Sequence, residues 1–293
     1  MAKEKFKTTI GGQALIEGVM MRGPSKIAYA VRKPDGNIEV QIHSDDDLSG
    51  KYPVLTWPII RGAYKLIDSM LKGVDALMYS ASFYDDEEDT AGAGVTVAIS
   101  MLLAILMFMV LPSVVAGFFK SRLNHVGLNL LEGGLRLIIF FIYLMAISKM
   151  EDIKRVFQYH GSEHKSIACY EAREELTVAN VKKYPIEHPR CGTSFLFMVM
   201  IISILVLSLF GWPNFIIRVL SRIVAMPLIA GLAYEVNRWM GKSDSWIARV
   251  VRKPGLLIQR FATVREPSDD MIEVAIASLN AVLPEAGESD TWK

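Results

Sequence analysis

Cysteine and histidine are scarce in this chain of 293 residues, which has two cysteines and five histidines. Two cysteines, Cys169 and Cys191, are too few for the disulfide framework of a small secreted domain. The N-terminal stretch "MAKEKFKTTIGGQ" has no early apolar run, so no secretory signal peptide is predicted. The net charge of +1 is too small to indicate nucleic-acid binding, and no nucleic-acid partner is expected.

Long apolar runs are abundant instead, and 52% of the residues are hydrophobic. A helix needs roughly 20 apolar residues to cross a hydrocarbon core of about 30 Å. Four runs approach or exceed that length: Val95–Phe119, Leu128–Ile147, Ser194–Trp212 and Phe215–Val236. They predict an α-helical polytopic membrane protein with about four transmembrane helices, in contact with the lipid bilayer.

Lysine and arginine near the span ends predict the orientation, because positive loops stay on the cytoplasmic side. Twelve such residues follow spans two and four or precede span three, against at most five on the other side. Both termini and the segment between spans two and three are therefore predicted to be cytoplasmic.

The remaining segments predict a small cytoplasmic cap containing a β-hairpin and amphipathic helices. The hairpin pairs Ile27–Arg32 with Ile38–Ile42 around the turn "PDGN". An amphipathic helix follows, which we expect to dock on the cap rather than lie in the membrane interface. The predicted organisation is 1–56 hairpin unit, 57–80 amphipathic helix, 81–94 acidic linker, 95–147 spans one and two, 148–193 cytoplasmic segment, 194–236 spans three and four, and 237–293 C-terminal helices.

The stretch "YHGSEHK" carries three of the chemically active side chains, His160, Glu163 and His164. Ser148 and Glu151 have capping-box spacing and predict a helix from there through residue 172. On such a helix the two histidines lie one turn apart on a buried stripe and converge on one ion. The order His-x-x-Glu-His is that of the inverted zinc peptidases, in which the motif glutamate activates water. The pattern predicts a divalent metal, preferably zinc, with Glu163 as general base; the alternative is a hydrogen-bonded structural cluster.

The number of protein ligands decides between chemistry and structure. His188 and Cys191, in "HPRC" before span three, are candidate third and fourth ligands, and Glu171 and Glu235 are carboxylate alternatives. Four protein ligands close a tetrahedral zinc shell and make a structural site, whereas three leave a position open. Cys169 is predicted to be a core residue.

Charged residues also occur inside the predicted spans. Glu132 and Arg136 have the spacing of a helical ion pair on span two. Arg218 and Arg222 share a face of span four, and we expect them to extend outward to the membrane surface.

Four blocks, "GGQALIEGVMMRGP", "HGSEHKSIACYE", "HPRCGTSF" and "REPSDDMIEVAI", resemble those of the YqhQ-like bacterial membrane family. That family carries a domain-of-unknown-function label and is described as a predicted metal-dependent enzyme. The resemblance implies a bacterial cytoplasmic membrane location. It also implies that the N-terminal block belongs with the site, with Glu17 and Arg22 completing a polar pocket. The alternative is that Glu17 and Arg22 form a salt bridge inside a tight glycine-rich loop.

The leading functional prediction is a metal-dependent membrane hydrolase with its site at the cytoplasmic membrane face. Its substrate would be a peptide or a lipid-linked group. One alternative is a non-enzymatic protein with a structural metal site that assists other membrane proteins in assembly or biogenesis. Another is a transporter, against which the middle regions of spans one and three are nearly free of polar groups.

Overall fold

A computed structural model describes residues 6–84, 90–243 and 245–292. Its N-terminal part is a four-stranded antiparallel sheet with the strand order β1-β2-β3-β4. The strands are β1 Gly11–Leu15, β2 Gly18–Arg22, β3 Lys26–Arg32 and β4 Ile38–Ser44.

The predicted hairpin is β3–β4, in which Ile27 opposes His43 and Arg32 opposes Ile38. The glycine-rich block before it is a second hairpin, β1–β2, rather than a loop. Glu17 takes a positive φ of 50° at its two-residue turn. The next position, Gly18, has no room for a side chain, because a Cβ there would lie 2.4 Å from the Ala30 carbonyl oxygen of the neighbouring strand. Glycine at this position therefore allows β2 and β3 to lie close together.

Ten α-helices follow in the described residues. They are α1 Ile60–Ala81, α2 Thr90–Ile105, α3 Leu111–Gly117, α4 His125–Ile147, α5 Glu151–Glu171, α6 Val178–Val181, α7 Gly192–Ser208, α8 Phe215–Lys242, α9 Trp246–Ile258 and α10 Asp269–Ala281. Helix α2 begins at Thr90, inside the predicted linker 81–94, and residues 85–89 of that linker lie outside the described part.

The cap is three layers thick, with the sheet between helices. One sheet face, including Val19, Met21 and Ala28, packs on Tyr159 and Ile167 of α5 and on α10. The opposite face packs on α1. The sheet therefore fixes α5, which carries the histidine motif, relative to the rest of the chain.

Helix α1 packs on α8 and on the sheet, but through its small and polar residues rather than through its apolar stripe. Arg61 pairs with Glu235 of α8, and Lys65 lies 2.7 Å from Asp47. Gly62 allows α1 to cross α8 closely, since a Cβ there would lie 2.6 Å from Tyr234 Cβ. Its apolar stripe remains exposed, at Ile67, Met70, Leu71, Val74 and Met78.

Three stretches are long and apolar enough to cross a membrane: Gly94–Gly117, His125–Ile147 and Phe215–Lys242. The third predicted span forms α7, an apolar helix of 17 residues that falls below that length. The first stretch contains a π-helical turn at Leu106–Val110.

Four charged residues of these helices, Glu132, Arg136, Arg218 and Arg222, face inward. Glu132 lies 3.1 Å from Arg136, which confirms the predicted helical pair, and it also pairs with Arg222. Arg218 donates to Ser113 Oγ at 3.0 Å and covers the Trp212 ring at 4.1 Å. The prediction that Arg218 and Arg222 extend outward is wrong, because both side chains are buried. Their guanidinium groups contact a carboxylate, a hydroxyl and an aromatic ring inside the protein.

Candidate metal centre

Helix α5 begins where predicted, but without the predicted capping box. Ser148 ends α4 instead, and its hydroxyl donates to the Met145 carbonyl at 3.0 Å. Glu151 and Asp152 occupy the first turn of α5, where negative charge is favourable.

The middle of α5 is buried on all sides rather than along one stripe. Tyr159, Glu163, His164, Lys165 and Cys169 are all buried. At Gly161 the chain after α9 lies so close that a Cβ would come within 2.1 Å of the Arg265 carbonyl oxygen. This contact brings residues 263–265 against the histidine motif.

Both motif histidines are oriented by backbone carbonyls. His160 Nδ1 lies 2.9 Å from the Thr263 oxygen, and His164 Nδ1 lies 2.5 Å from the Ile186 oxygen. A carbonyl accepts only, so in the neutral form of each ring Nδ1 carries the proton and Nε2 keeps its lone pair. His164 Nε2 is buried and has no hydrogen-bond partner in the described structure. This is how metal-binding histidines are commonly held.

Cys191 supplies a third donor at the same point. It is the N-cap of α7, and its sulfur accepts a hydrogen bond from the Thr193 amide at 3.4 Å. Its Sγ lies 3.2 Å from His160 Nε2, and the donor atoms of His160, His164 and Cys191 all lie within 4.8 Å of one another.

Glu163 lies beside these donors. Its Oε2 is 3.8 Å from His160 Nε2 and 3.6 Å from His164 Nε2. Burial raises the pKa of Glu163, against the opposing effects of His160 and the Gly12 amide. Gly12 also makes room for this side chain, because a Cβ there would lie 2.9 Å from Glu163 Cγ.

His188 is close to the cluster but is held by other partners. Its ring lies 5.5 Å from that of His164, while its Nε2 is 3.8 Å from Glu171 Oε2 and 3.4 Å from an Arg190 nitrogen. Burial lowers the pKa of His188 to about 4, so the ring is neutral. The neighbouring guanidinium makes this position unfavourable for a second cation.

The remaining candidates lie elsewhere. Glu171 pairs with Arg190 and accepts the Thr8 amide at 2.7 Å, and Glu235 pairs with Arg61. Glu17 pairs with Arg155 rather than with Arg22. Arg22 lies 2.6 Å from Asp45 and 2.7 Å from Asp68.

Cys169 is a core residue, packed with Val181 and Ile272, as the sequence predicts. Burial raises the pKa of its thiol to about 11.

A cavity of about 110 Å³ opens on the cluster. His160, Glu163, His188 and Cys191 line it, together with residues 9–12 of the chain entering β1 and Trp292. The same β1 edge and Trp292 also line a cleft of about 740 Å³ between the sheet and the α1 and α8 helices. The cavity at the donors therefore has room for a few water molecules.

One of the three donor pairs has a spacing close to that of a tetrahedral zinc site. Donors on one tetrahedral zinc ion lie about 3.3–3.8 Å apart, given bond lengths of about 2.0–2.3 Å. The His160–Cys191 pair, at 3.2 Å, is close to that spacing. The lone pair of His164 Nε2 accepts no hydrogen bond in the described structure and could bind a metal ion.

Sequence reasoning missed the residues that hold this site in place. Gln259 accepts the His188 amide at 2.9 Å and donates to the His188 carbonyl at 3.0 Å and to Ser194 Oγ at 2.9 Å. Thr263 and Gly12 act through their backbone atoms, which no side-chain motif reveals.

Comparisons with known proteins agree with the motif blocks. Residues 57–285 match the family model described as "Protein of unknown function (DUF1385)". The chain is 31% identical over 302 residues to "Uncharacterized protein YqhQ" of Bacillus subtilis (strain 168), covering 97% of this chain and 95% of that one. No solved structure matches the chain. The resemblance predicted from the motifs is thereby confirmed, and the chain belongs to the DUF1385 family of YqhQ-like proteins.

Proposed function

We propose that this protein is a metal-dependent hydrolase of the bacterial cytoplasmic membrane, with a zinc site at the cytoplasmic face. The proposal includes four spans, with α7 as the third, and both termini in the cytoplasm. The observation that carries it is the pair of histidines whose Nδ1 atoms are engaged by carbonyls, so that both Nε2 atoms turn toward Cys191 and Glu163.

The ligand count favours chemistry over a closed structural shell. His160, His164 and Cys191 offer three donors, and the fourth candidate, His188, is engaged with Glu171 and Arg190. Three protein ligands leave a position for water or substrate. Zinc in such a site supplies Lewis acidity toward a carbonyl or phosphoryl oxygen.

Glu163 is the group on this chain that can move a proton. Its carboxylate would take a proton from the attacking water and pass it to the leaving group, so that the remaining hydroxyl stays on the acyl or phosphoryl centre. Burial raises the pKa of Glu163, which makes its carboxylate a stronger base than one in water.

Metal content tests the first half of the proposal. Protein purified without chelators is expected to hold one zinc per chain, and His160→Ala and Cys191→Ser are expected to lose it. Cys169→Ser is the matched control, since it changes the other cysteine, which packs in the core. Metal-free preparations, or loss of zinc in Cys169→Ser alone, would contradict the proposal.

Glu163→Gln tests the second half. It should keep zinc and melting temperature but fail to complement a deletion strain, whereas Glu175→Gln, an exposed acid after the same helix, should complement fully. Complementation by Glu163→Gln would remove its role as base.

A structural metal is the second candidate, and one observation favours it. The three donors come from two separate elements, α5 and the N-cap of α7, and their orienting carbonyls come from residues 186 and 263. A metal there would join the cap to the span helices, as suits a protein that assists other membrane proteins. In that case Glu163→Gln retains function, while His160→Ala lowers the melting temperature sharply.

A transporter remains the third candidate, on the strength of the ion pairs between α4 and α8 inside the apolar helices. Intramembrane charges of this kind occur along ion pathways. Here Glu132 is neutralised by Arg136 and Arg222, an arrangement that also serves helix packing.

A further inference from the structure

Helix α9 and the π-turn after it, Gln259–Thr263, have three distinct sides. The first is buried against the protein, at Ala248, Gly255 and Ile258. The second is apolar and exposed, and contains Trp246, Val250, Leu257 and Phe261. The third is exposed and basic, with Arg249, Lys253 and Arg260 at spacings of four and seven residues.

A groove of about 690 Å³ runs along the basic side. Two leucines and two prolines line it together with charged side chains: Leu256, Leu257, Pro185, Pro189, Glu187, Arg249, Arg252, Lys253 and Arg260. The lining thus carries four cations and one carboxylate. Glu187 lies 3.7 Å from the exposed Arg260.

One of the four cations has a structural task. Arg252 donates to the Ala248 carbonyl at 3.2 Å and to the Ser243 carbonyl at 2.9 Å. These bonds join α9 to Ser243 at the end of α8 and leave Arg249, Lys253 and Arg260 as the exposed cations at the groove.

The groove lies where the apolar helices end. Helix α9 starts four residues after the end of α8 and also packs on α7. Trp239, near the end of α8, and Trp246, at the start of α9, are both exposed. Exposed tryptophans mark the headgroup level of a bilayer. The apolar side of α9 therefore continues the lipid-facing surface of the spans.

We propose that this groove binds the phosphate headgroup of an anionic phospholipid. Arg249, Lys253 and Arg260 would contact the headgroup, and the apolar side of α9 would enter the acyl-chain boundary. Apolar burial combined with basic flanks is what holds amphipathic helices on anionic membranes. A soluble phosphate would use the cations but leave Leu256, Leu257 and the apolar side of α9 uncovered.

The position of the exposed apolar residues beside the cations favours a lipid over a protein partner. The exposed apolar residues form one stripe beside the cations, and this stripe is continuous with helices that have the composition of membrane spans. The proposal involves neither the metal donors nor Glu163, so it stands or falls separately from the proposed hydrolysis.

Native mass spectrometry of the full chain in detergent tests the assignment, with phosphatidylglycerol and phosphatidylcholine titrated in parallel. One tightly retained phosphatidylglycerol is expected per chain. Arg249→Gln/Lys253→Gln is expected to weaken its binding about 25-fold, from roughly fivefold for each cation near an anionic lipid surface. The control is Lys120→Gln/Arg122→Gln, which removes two exposed charges before α4 and should leave retention unchanged.

A melting curve of each variant shows whether it is folded, and Phe261→Ser tests the apolar contribution without altering charge. Equal retention of the two lipids by the unmodified protein would overturn the proposal. So would equal losses in the groove variant and the control. Displacement of the lipid by glycerol phosphate at comparable concentration would assign the groove to a soluble phosphate ester instead.

Discussion

Replacing Gly161 with alanine tests the contact that shapes the candidate site. The new Cβ would lie 2.1 Å from the Arg265 carbonyl oxygen, and contacts under 3.0 Å are essentially never seen, so the segment after α9 must retreat by about 1 Å. Overpacking of this kind costs about 1–3 kcal/mol, against a gain of up to about 1 kcal/mol in helix propensity. With the full gain in helix propensity, the free energy of unfolding should therefore fall by about 0–2 kcal/mol.

Metal affinity should fall further than stability. Thr263 lies two residues before Arg265, so the same retreat lengthens the bond that fixes the His160 ring. Loss of such an orienting bond lowers metal affinity about 10–100-fold. Zinc titration with a chromophoric chelator and thermal melting of the same preparation measure both quantities.

Gly134→Ala is the matched control, because Gly134 also lies inside a helix and a Cβ there meets no atom within 4 Å. It should be neutral or slightly stabilising, with unchanged zinc affinity. If Gly161→Ala behaves like this control, α5 and residues 263–265 are not packed as described.

Three further predictions follow from contacts outside the donor set. Glu132→Ala should cost about 3–5 kcal/mol, measured by steric trapping, because it leaves the buried Arg222 unpaired, whereas Glu132→Gln should cost less. Burial opposes ionisation of Asp68, but hydrogen bonds from Lys72 and Arg22 outweigh this effect and lower its pKa. Docking of α1 should therefore persist above about pH 4 and weaken below it, which faster hydrogen exchange in α1 would report. Asp68→Asn should show that faster exchange already at neutral pH. Native protein should resist alkylation at Cys169, whose thiol has a pKa raised by burial to about 11, and added zinc should protect Cys191 alone; zinc-independent alkylation of Cys191 would contradict its role as ligand.

Periodic features of the fold could be predicted from the sequence. The apolar runs, the β3–β4 hairpin, α1 and α5 depend on residues close together in the chain, and their spacing indicates them directly. The β1–β2 hairpin was less accessible, because its glycines also fit a loop. Ser148 was ambiguous because it lies between two helices, where one hydroxyl can serve either.

The candidate site was predictable only in its donors. His160, His164 and Cys191 could be proposed from residue type and topology, and the structure brings them together. The engagement of His188 by other partners could not be predicted. It depends on Gln259, 71 residues away in the chain, and on the ion pair between Arg190 and Glu171. Burial of Arg222 likewise depends on a carboxylate 90 residues away on another helix.

The Gln259 carboxamide acts on the loop before α7 as a peptide group of a neighbouring strand would. Its oxygen and its amino group are bound to the amide and carbonyl of one residue, His188, and its remaining hydrogen is bound to Ser194. Both amino hydrogens and one lone pair of the oxygen are used, so the group has one orientation. These hydrogen bonds fix the loop before α7 in the absence of a metal ion. Zinc binding would then need little ordering of the chain, and chelation would empty the site without unfolding it, unlike in zinc fingers, whose fold depends on the metal.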